Sequence, residues 1–598
     1  MRESSRVLPI LVVTPSHELS APLAIAAARA GGIGVLDLGY GFAAAEQQGA
    51  FDLLAAQVRS GNQWGIRWDT LGTESVELPA LAQVLGTRNC PVLLLAGAIG
   101  SGAAAGNPAN RGSLAKLLES GKRFADLVAL EVCSVAEATA AAEAGFDAVL
   151  VKGNEAAGRV SAASTFELIE QLRGQTAGSN SPASDGPKIP LWVQGGIGPE
   201  TATAALLAGV TGVVLREQVW LTTESPFDEA DRRRWSQLDG TETFAIGSAD
   251  RSFRLYSPRG RESVASLADS LASGQDWQVP LRSLLLEGDE STGEALIPLG
   301  IDIGQARRLA DEHVNVAGIV QAYRRAIEEN LKVARSARSV APESALAEAQ
   351  GTRYPILQRV PHGEDSLTAG ETIAERGGLP IFSLAGQGAG GARALLGVAK
   401  ERMAERPWGV SLLGSLDAEL RDQLLAEIRS VKPAVALLDG VMAGAATELE
   451  PLGVTAYLRI ASLPQLSTAL AAGSRKFVLT GSVLTGSDVG DGDRGSRVDL
   501  ALWQVVISQL ATAKVDRAEE FHVVFAPGIG SSLSAAMVAA LAAPLSARGM
   551  KIGLLVGDGS AADQAAAASN IELHEISSGG GQAARAVGLA AVPLAARS

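Results

Sequence analysis

Gln194-Gly195-Gly196-Ile197-Gly198-Pro199-Glu200 stands between a short apolar run, Leu191 to Gln194, and an Ala-rich stretch with helical spacing that begins at Thr201. Strand, glycine turn and helix in that order make part of a parallel crossover unit. The same alternation recurs in both directions. Upstream runs lie at Ile10 to Thr14, Ile33 to Asp37, Gln63 to Arg67, Val92 to Ala96, Val128 to Val132 and Ala148 to Lys152, and one more follows at Gly212 to Leu215. After an interval without alternation it restarts at Pro355 to Gln358, Ile381 to Leu384, Trp408 to Leu413, Ala434 to Leu438, Thr455 to Leu458, Lys476 to Thr480, His522 to Ala526 and Ile552 to Val556. Each segment holds eight β/α units. This predicts an α/β chain of two (β/α)8 TIM barrels in tandem, with two doubly wound open sheets as the alternative.

The expected organisation is a first barrel over residues 1–222, a mostly helical connector over 223–345, a second and degenerate barrel over 346–575, and a loose Gly- and Ala-rich tail over 576–598. In the connector, Ile319, Val320, Tyr323, Ile327 and Leu331 fall on one helical face. Residues 176–188 read as a surface loop from their turn composition.

Composition narrows the class. The 598 residues are 47% hydrophobic, with 67 Gly and only 19% charged, which excludes a disordered chain. Lys plus Arg number 51 against 65 Asp plus Glu, a net charge of −14, which argues against nucleic-acid or anionic-membrane surfaces. Arg232, Arg233 and Arg234 sit among acidic residues and read as a solvated helix face. Two cysteines, Cys90 and Cys133, are too few for a disulfide framework. His17, His313, His362, His522 and His574 include no pair at i, i+4, so no zinc site is expected. Val7 to Val13 is too short to span a membrane and lacks a cleavage site, and a reduced, cytoplasmic location is expected.

Barrel sites belong at the carboxyl ends of the strands, and phosphate groups usually lie after strands seven and eight. Gly195, Gly196 and Ile197 let the backbone approach a ligand, with free N–H groups at the start of the next helix; the same glycines also suit a plain tight turn. After the sixth run comes Lys152-Gly153-Asn154-Glu155-Ala156-Ala157-Gly158-Arg159-Val160-Ser161. Together these two loops resemble the nitronate monooxygenase family, formerly 2-nitropropane dioxygenases, which are FMN-binding barrels. The resemblance spans roughly residues 6–222 and includes Ala28-Arg29-Ala30-Gly31-Gly32-Ile33-Gly34.

The second segment resembles the same family through Tyr354-Pro355-Ile356-Leu357-Gln358, Glu375-Arg376-Gly377-Gly378-Leu379-Pro380, Arg406-Pro407-Trp408-Gly409-Val410 and Ala526-Pro527-Gly528-Ile529. A tandem with a helical insert is similar to the flavin-barrel regions beside ketosynthase modules in large polyketide and polyunsaturated fatty-acid synthases, where related barrels act as enoyl reductases. No ketosynthase motif is present.

The resemblance implies FMN in the first barrel, with Gln194, Gly195, Gly196, Ile197 and Arg216 around it, Arg159 near its ring, and Gln358 and Gly528 as counterparts in the second barrel. It implies a small-molecule or acyl-thioester substrate, and ketosynthase or acyl carrier protein partners. Arg159 in the first barrel, and either Ser487 or Asp488 in the second, stand where the family presents a histidine base. Arginine cannot give up a proton near neutral pH, but it can bind an anion or stabilise reduced flavin. Asp488 can accept a proton or serve as a surface-loop aspartate.

Other departures place Glu217 beside Arg216, Asp558 after the last run, and Pro527, which lacks a donor, in the second phosphate loop. Glu131 and Lys152 at neighbouring strand ends suggest a buried ion pair across the mouth or a Schiff-base lysine. His17 and His362 lie on loops facing the sites, as ligand contacts or solvated residues, while Trp64, Trp68 and Trp408 read as packing. Three functions follow: an FMN-dependent oxidoreductase of nitronate monooxygenase or enoyl reductase type, a non-catalytic scaffold or interaction module of a polyketide or lipid synthase, or one active barrel beside a degenerate partner.

Overall fold

A computed structural model describes residues 9–557, apart from 40–41, 60, 62, 71–77, 98–107, 174–188, 248–251, 258–266, 268–280, 282–284, 286–295, 362–365, 385, 414–415, 482–499 and 527. The strands are β1 (Ile10–Val13), β2 (Ile33–Asp37), β3 (Trp64–Asp69), β4 (Cys90–Ala96), β5 (Ala125–Val132), β6 (Ala148–Lys152), β7 (Gly158–Val160), β8 (Leu191–Gln194), β9 (Gly212–Leu215), β10 (Thr243–Ile246), β11 (Ser252–Tyr256), β12 (Ile356–Arg359), β13 (Leu379–Ser383), β14 (Gly409–Leu412), β15 (Val435–Asp439), β16 (Thr455–Ile460), β17 (Lys476–Leu479), β18 (His522–Phe525) and β19 (Lys551–Val556).

Two closed, parallel, eight-stranded barrels form: β1-β2-β3-β4-β5-β6-β8-β9, and β12 through β19 in order. The tandem (β/α)8 architecture is the observed one, and the open-sheet alternative is excluded. Two compact units divide the chain between Ile327 and Glu328.

Strand pleating sorts side chains into those that fill a barrel and those that meet the surrounding helices. In the first unit Leu11, Val13, Ile33, Val35, Val92, Leu94, Ala129, Ala148, Leu150, Trp192 and Val214 form one cluster inside the barrel. In the second, Leu357, Leu379, Ile381, Val435, Leu437, Tyr457, Val478, Val524, Ala526 and Leu555 do the same, with Leu346 of the helix Ala345–Gln350 packed against them. Burying each such side chain contributes roughly 1.5–3 kcal/mol. Helix starts are capped in the usual way: Ser134 Oγ accepts from Glu137 N at 3.2 Å, and Asp417 Oδ1 from Leu420 N at 2.8 Å.

The stretch expected to be a mostly helical connector also carries strands. β10 and β11 pair antiparallel, and β11 pairs in turn with β7, with Phe253 opposite Arg159. Connector residues up to Ile327 therefore belong to the first unit. The helix Val316–Ala337 buries Ile319, Val320, Tyr323 and Ile327 as its spacing predicts, and its Arg324 donates to the carbonyls of Ala30 (3.1 Å) and Gly31 (2.6 Å). The expected surface loop at 176–188 and the tail at 576–598 lie outside the described residues.

Candidate functional site

The first barrel ends in charge. Continuing the inward alternation of each strand toward its carboxyl end brings Asp37 of β2, Arg67 of β3, Glu131 of β5, Lys152 of β6, Gln194 of β8 and Arg216 after β9 into one layer; Asp37 is in register with Arg67, and Lys152 with Gln194. Arg67 donates from Nε to Glu131 Oε1 at 2.7 Å and from Nη2 to Glu131 Oε2 at 3.1 Å. It also reaches Asp37 Oδ2 at 3.2 Å and Asp69 Oδ2 at 3.0 Å. Lys152 Nζ lies 3.4 Å from Glu131 Oε2, and Arg216 Nη2 donates to Ser16 Oγ at 2.8 Å.

Three acids, Asp37, Asp69 and Glu131, thus face three bases, Arg67, Lys152 and Arg216. None of Asp37, Arg67, Glu131, Lys152, Gln194 and Arg216 is more than 4% exposed, so this layer is closed to solvent. Burial works to raise the Glu131 carboxyl, but Arg67 and Lys152 outweigh it and hold the group down to about 2. Burial lowers Lys152 despite Glu131 beside it. Glu131 and Lys152 are the buried ion pair of the two alternatives, one link in a larger network.

Arg159, expected near a flavin ring, sits on β7 and is tied to Glu137 of the helix Val135–Ala144, whose other carboxylate oxygen accepts from Cys133 N at 2.8 Å. The pairing of β7 with β11 fixes this loop to the connector, and Arg254 of β11 adds bonds to Asn154 O and Oδ1, both 2.6 Å.

The loop after β8 is equally committed. Gly195 has φ +108°, and a Cβ there would come 2.8 Å from Ala156 N, so glycine is required by the turn itself. Ile197 N points at Asp302 Oδ2 (3.5 Å) and Gly198 N at Thr201 Oγ1 (2.7 Å). The Ile197 carbonyl accepts from Gln218 Nε2 (2.8 Å) and Tyr323 Oη (3.0 Å). Glu217 Oε1 accepts from Gly300 N at 3.1 Å. The residues expected to hold FMN in this barrel, Gln194, Gly195, Gly196, Ile197 and Arg216, are brought together but already engaged or buried. A phosphate would meet Asp302 and Glu217, and a flavin ring would meet the charged layer. This barrel does not fit the cofactor.

His17 is half-buried, with both ring nitrogens covered. Its ring stacks on Phe227 (5.4 Å between centroids) and meets Trp220 edge-on (5.2 Å), and burial, then Arg216 and Arg234, lower it to about 3. Trp64 packs on Phe51 and Trp408 on Phe382, as expected of core aromatics.

The second mouth is different. Arg359, Ser383, Ser411, Asp439, Arg459 and Thr480 continue the inward faces of their strands. Arg459 Nη2 meets Asp439 Oδ2 at 2.7 Å, with side chains 22% and 15% exposed, and Arg359 and Ser383 are also partly open to solvent. Beyond β18, Gly528 has φ +81°, and Ser531 caps the helix Ser532–Leu541, its Oγ accepting from Ser534 N at 3.1 Å. Gln358, expected beside a flavin, shares the register of Pro380 and Val556 on the outer face of the barrel, because its neighbour Leu357 points inward. Ser487, Asp488, His362, Pro527 and Asp558 lie outside the described residues.

At the opposite end of this barrel Gln350 Nε2 donates to Tyr457 Oη at 2.9 Å, and Tyr457 Oη lies 2.9 Å from His522 Nδ1. Among the described residues no group of three or more His, Cys, Asp or Glu is placed to hold a metal ion, and no helix is long and apolar enough to cross a membrane.

No family model and no curated protein matches the chain. Solved structures do. FabK from Thermotoga maritima is 19% identical over 54% of this chain and 94% of its own, with a TM-score of 0.40. A nitroalkane oxidase from Streptomyces ansochromogenes is 22% identical over 54% and 96%, with a TM-score of 0.39. The enoyl reductase domain of MlnA, from the macrolactin biosynthesis cluster of Bacillus amyloliquefaciens, is 14% identical over 54% and 95%, with a TM-score of 0.40. The likeness is one of fold. Each of these relatives matches about half of the chain.

Proposed function

We propose that the chain is an FMN-dependent oxidoreductase of the nitronate monooxygenase or enoyl reductase type in which the second barrel works and the first is a closed, non-catalytic partner. The observation that carries this reading is the contrast between the mouths: a self-neutralised buried layer in one, and in the other, among the described residues, a ring partly open to solvent that includes Arg359, Ser383 and the Arg459–Asp439 pair. Gly528 to Ser531 and the start of the helix Ser532–Leu541 would hold the phosphate on backbone N–H groups. Arg359 and Arg459 would sit toward the ring, where positive charge favours its reduced, anionic form, and Ser383, Ser411 and Thr480 would supply neutral hydrogen bonds. Bound there, the flavin would supply two-electron transfer. The substrate class is a small molecule or acyl thioester, and the tandem arrangement favours work beside a ketosynthase or acyl carrier protein in polyketide or fatty-acid synthesis. Purified full chain should be yellow or gain flavin absorbance on incubation with FMN, and should oxidise a nitronate or reduce an enoyl thioester. Protein that stays colourless with excess FMN overturns the reading.

The sealed first mouth favours one other function, a non-catalytic scaffold or interaction module of such a synthase. Capture of a ketosynthase or an acyl carrier protein by flavin-free chain would establish it.

A further inference from the structure

The loop after β8 is held by residues that lie about a hundred positions further along the chain. Gly300 enters a space where a Cβ would come 2.9 Å from Glu155 O and 3.1 Å from Ala157 N, so only glycine passes. Ile301 N then bonds Glu155 O at 2.9 Å, and Asp302 lays its carboxyl against Ile197 N. Gln305 Nε2 steadies the other oxygen of Asp302 at 3.0 Å, while Tyr323 and Gln218 clamp the Ile197 carbonyl.

An oxyacid against a backbone N–H between a barrel strand and its helix is the arrangement a phosphate takes. Here the protein provides the oxyacid itself. Glu217 Oε1, on Gly300 N, and Glu155 stand close by, and burial together with these two acids raises Asp302 well above the usual carboxylate range. A site whose burial and neighbouring acids disfavour the charge of a single carboxylate disfavours a phosphate dianion more strongly still.

We propose that Gly300–Asp302 of the connector occupies the phosphate position of the first barrel, so that this barrel takes no phosphate-bearing cofactor and the chain binds at most one flavin. The count of one rests on the proposed role of the second barrel, whereas the exclusion from the first does not.

The test is a titration of the full chain with FMN, read as binding stoichiometry and as hydrogen exchange by mass spectrometry. One flavin per chain is expected, with slowed exchange in peptides covering 526–541 and none in those covering 191–207. No binding at all leaves the exclusion standing and removes flavin from the second barrel. Two flavins per chain, or slowed exchange at 191–207, overturns the proposal. The double variant Asp302→Gly, Glu217→Gln should acquire a site for inorganic phosphate, seen as a rise of several degrees in melting temperature and slowed exchange at 191–207. A folded double variant indifferent to phosphate overturns the assignment of Asp302 to the phosphate position. Asp302→Asn, which keeps the shape without a titrating proton, should still exclude phosphate; if this variant does not fold, the wild-type exchange pattern decides.

Discussion

Arg67 and Glu131 meet as a two-pronged pair at the mouth of the first barrel, Nε to Oε1 at 2.7 Å and Nη2 to Oε2 at 3.1 Å, and both are buried. Removing Arg67 leaves three acids, Asp37, Asp69 and Glu131, facing two bases, Lys152 and Arg216, and breaking a buried ion pair in this way costs about 3–5 kcal/mol. Arg67→Met should therefore lose about that much stability in urea unfolding, whereas Arg67→Met combined with Glu131→Leu should recover much of the loss. A single variant as stable as the wild type would show that the layer is solvated.

Burial, with nearby cations, holds His17 and His522 down to about 3 from an ordinary 6.5. Between those values the unfolded chain takes up protons that the folded chain refuses, so stability is full above pH 6.5 and falls as the pH drops toward 3. Each histidine contributes a slope of about 1.4 kcal/mol per pH unit in that window. Unfolding free energies measured at pH 7, 6 and 5 should follow this course, and His17→Phe should shed one histidine's share of the slope.

Asp302 has the opposite sign. Its folded value is raised, so its contribution is complete below the ordinary carboxylate value and is lost as the pH rises through the raised one. Asp302→Asn should be more stable than the wild type at pH 8 and gain less at pH 4. Calorimetry at the two pH values checks the crossover.

In the second barrel, Arg459→Ala removes a charged partner from an open mouth. Hydrogen bonds to charged groups contribute about 1.5–3 kcal/mol, so FMN affinity should fall roughly 10- to 100-fold. Arg67→Met, in the other barrel, should leave that affinity unchanged.

Cys90 and Cys133 are buried and pushed up to about 12, mainly by desolvation. Neither should react with a thiol reagent at neutral pH in the native protein, and both should react at once in denaturant.

The sixteen barrel strands were legible because each is a short apolar run between a helical stretch and a turn, a local signal. The strand Gly158–Val160 was not, since three residues carry no period and its partner, Ser252–Tyr256, lies in a distant segment. The charged mouth is half visible in the sequence: Asp37, Arg67 and Lys152 end predicted runs, and Glu131 is the last residue but one of its own. Carrying the inward parity of all eight strands to their carboxyl ends would have assembled the layer. Glycines at 195 and 196 suit a ligand approach and a tight turn alike in sequence; their conformation serves the turn, and the group on Ile197 N comes from residue 302. Gln358 was misplaced by one step of the pleat, which turns a side chain from the inner to the outer face.

The pairing of Phe253 with Arg159, and of Asp302 with Ile197, also sets an order of events during synthesis. A nascent chain that has reached residue 222 already owns all eight strands of its first barrel, but nothing to cover the loops after β6 and β8. Closure waits for Tyr323, which at 5–20 residues per second means roughly 5–20 s in which the upper rim stays hydrated on the ribosome. The first barrel is thus strung together well before the residues that finish its rim exist, and it is finished before the second begins.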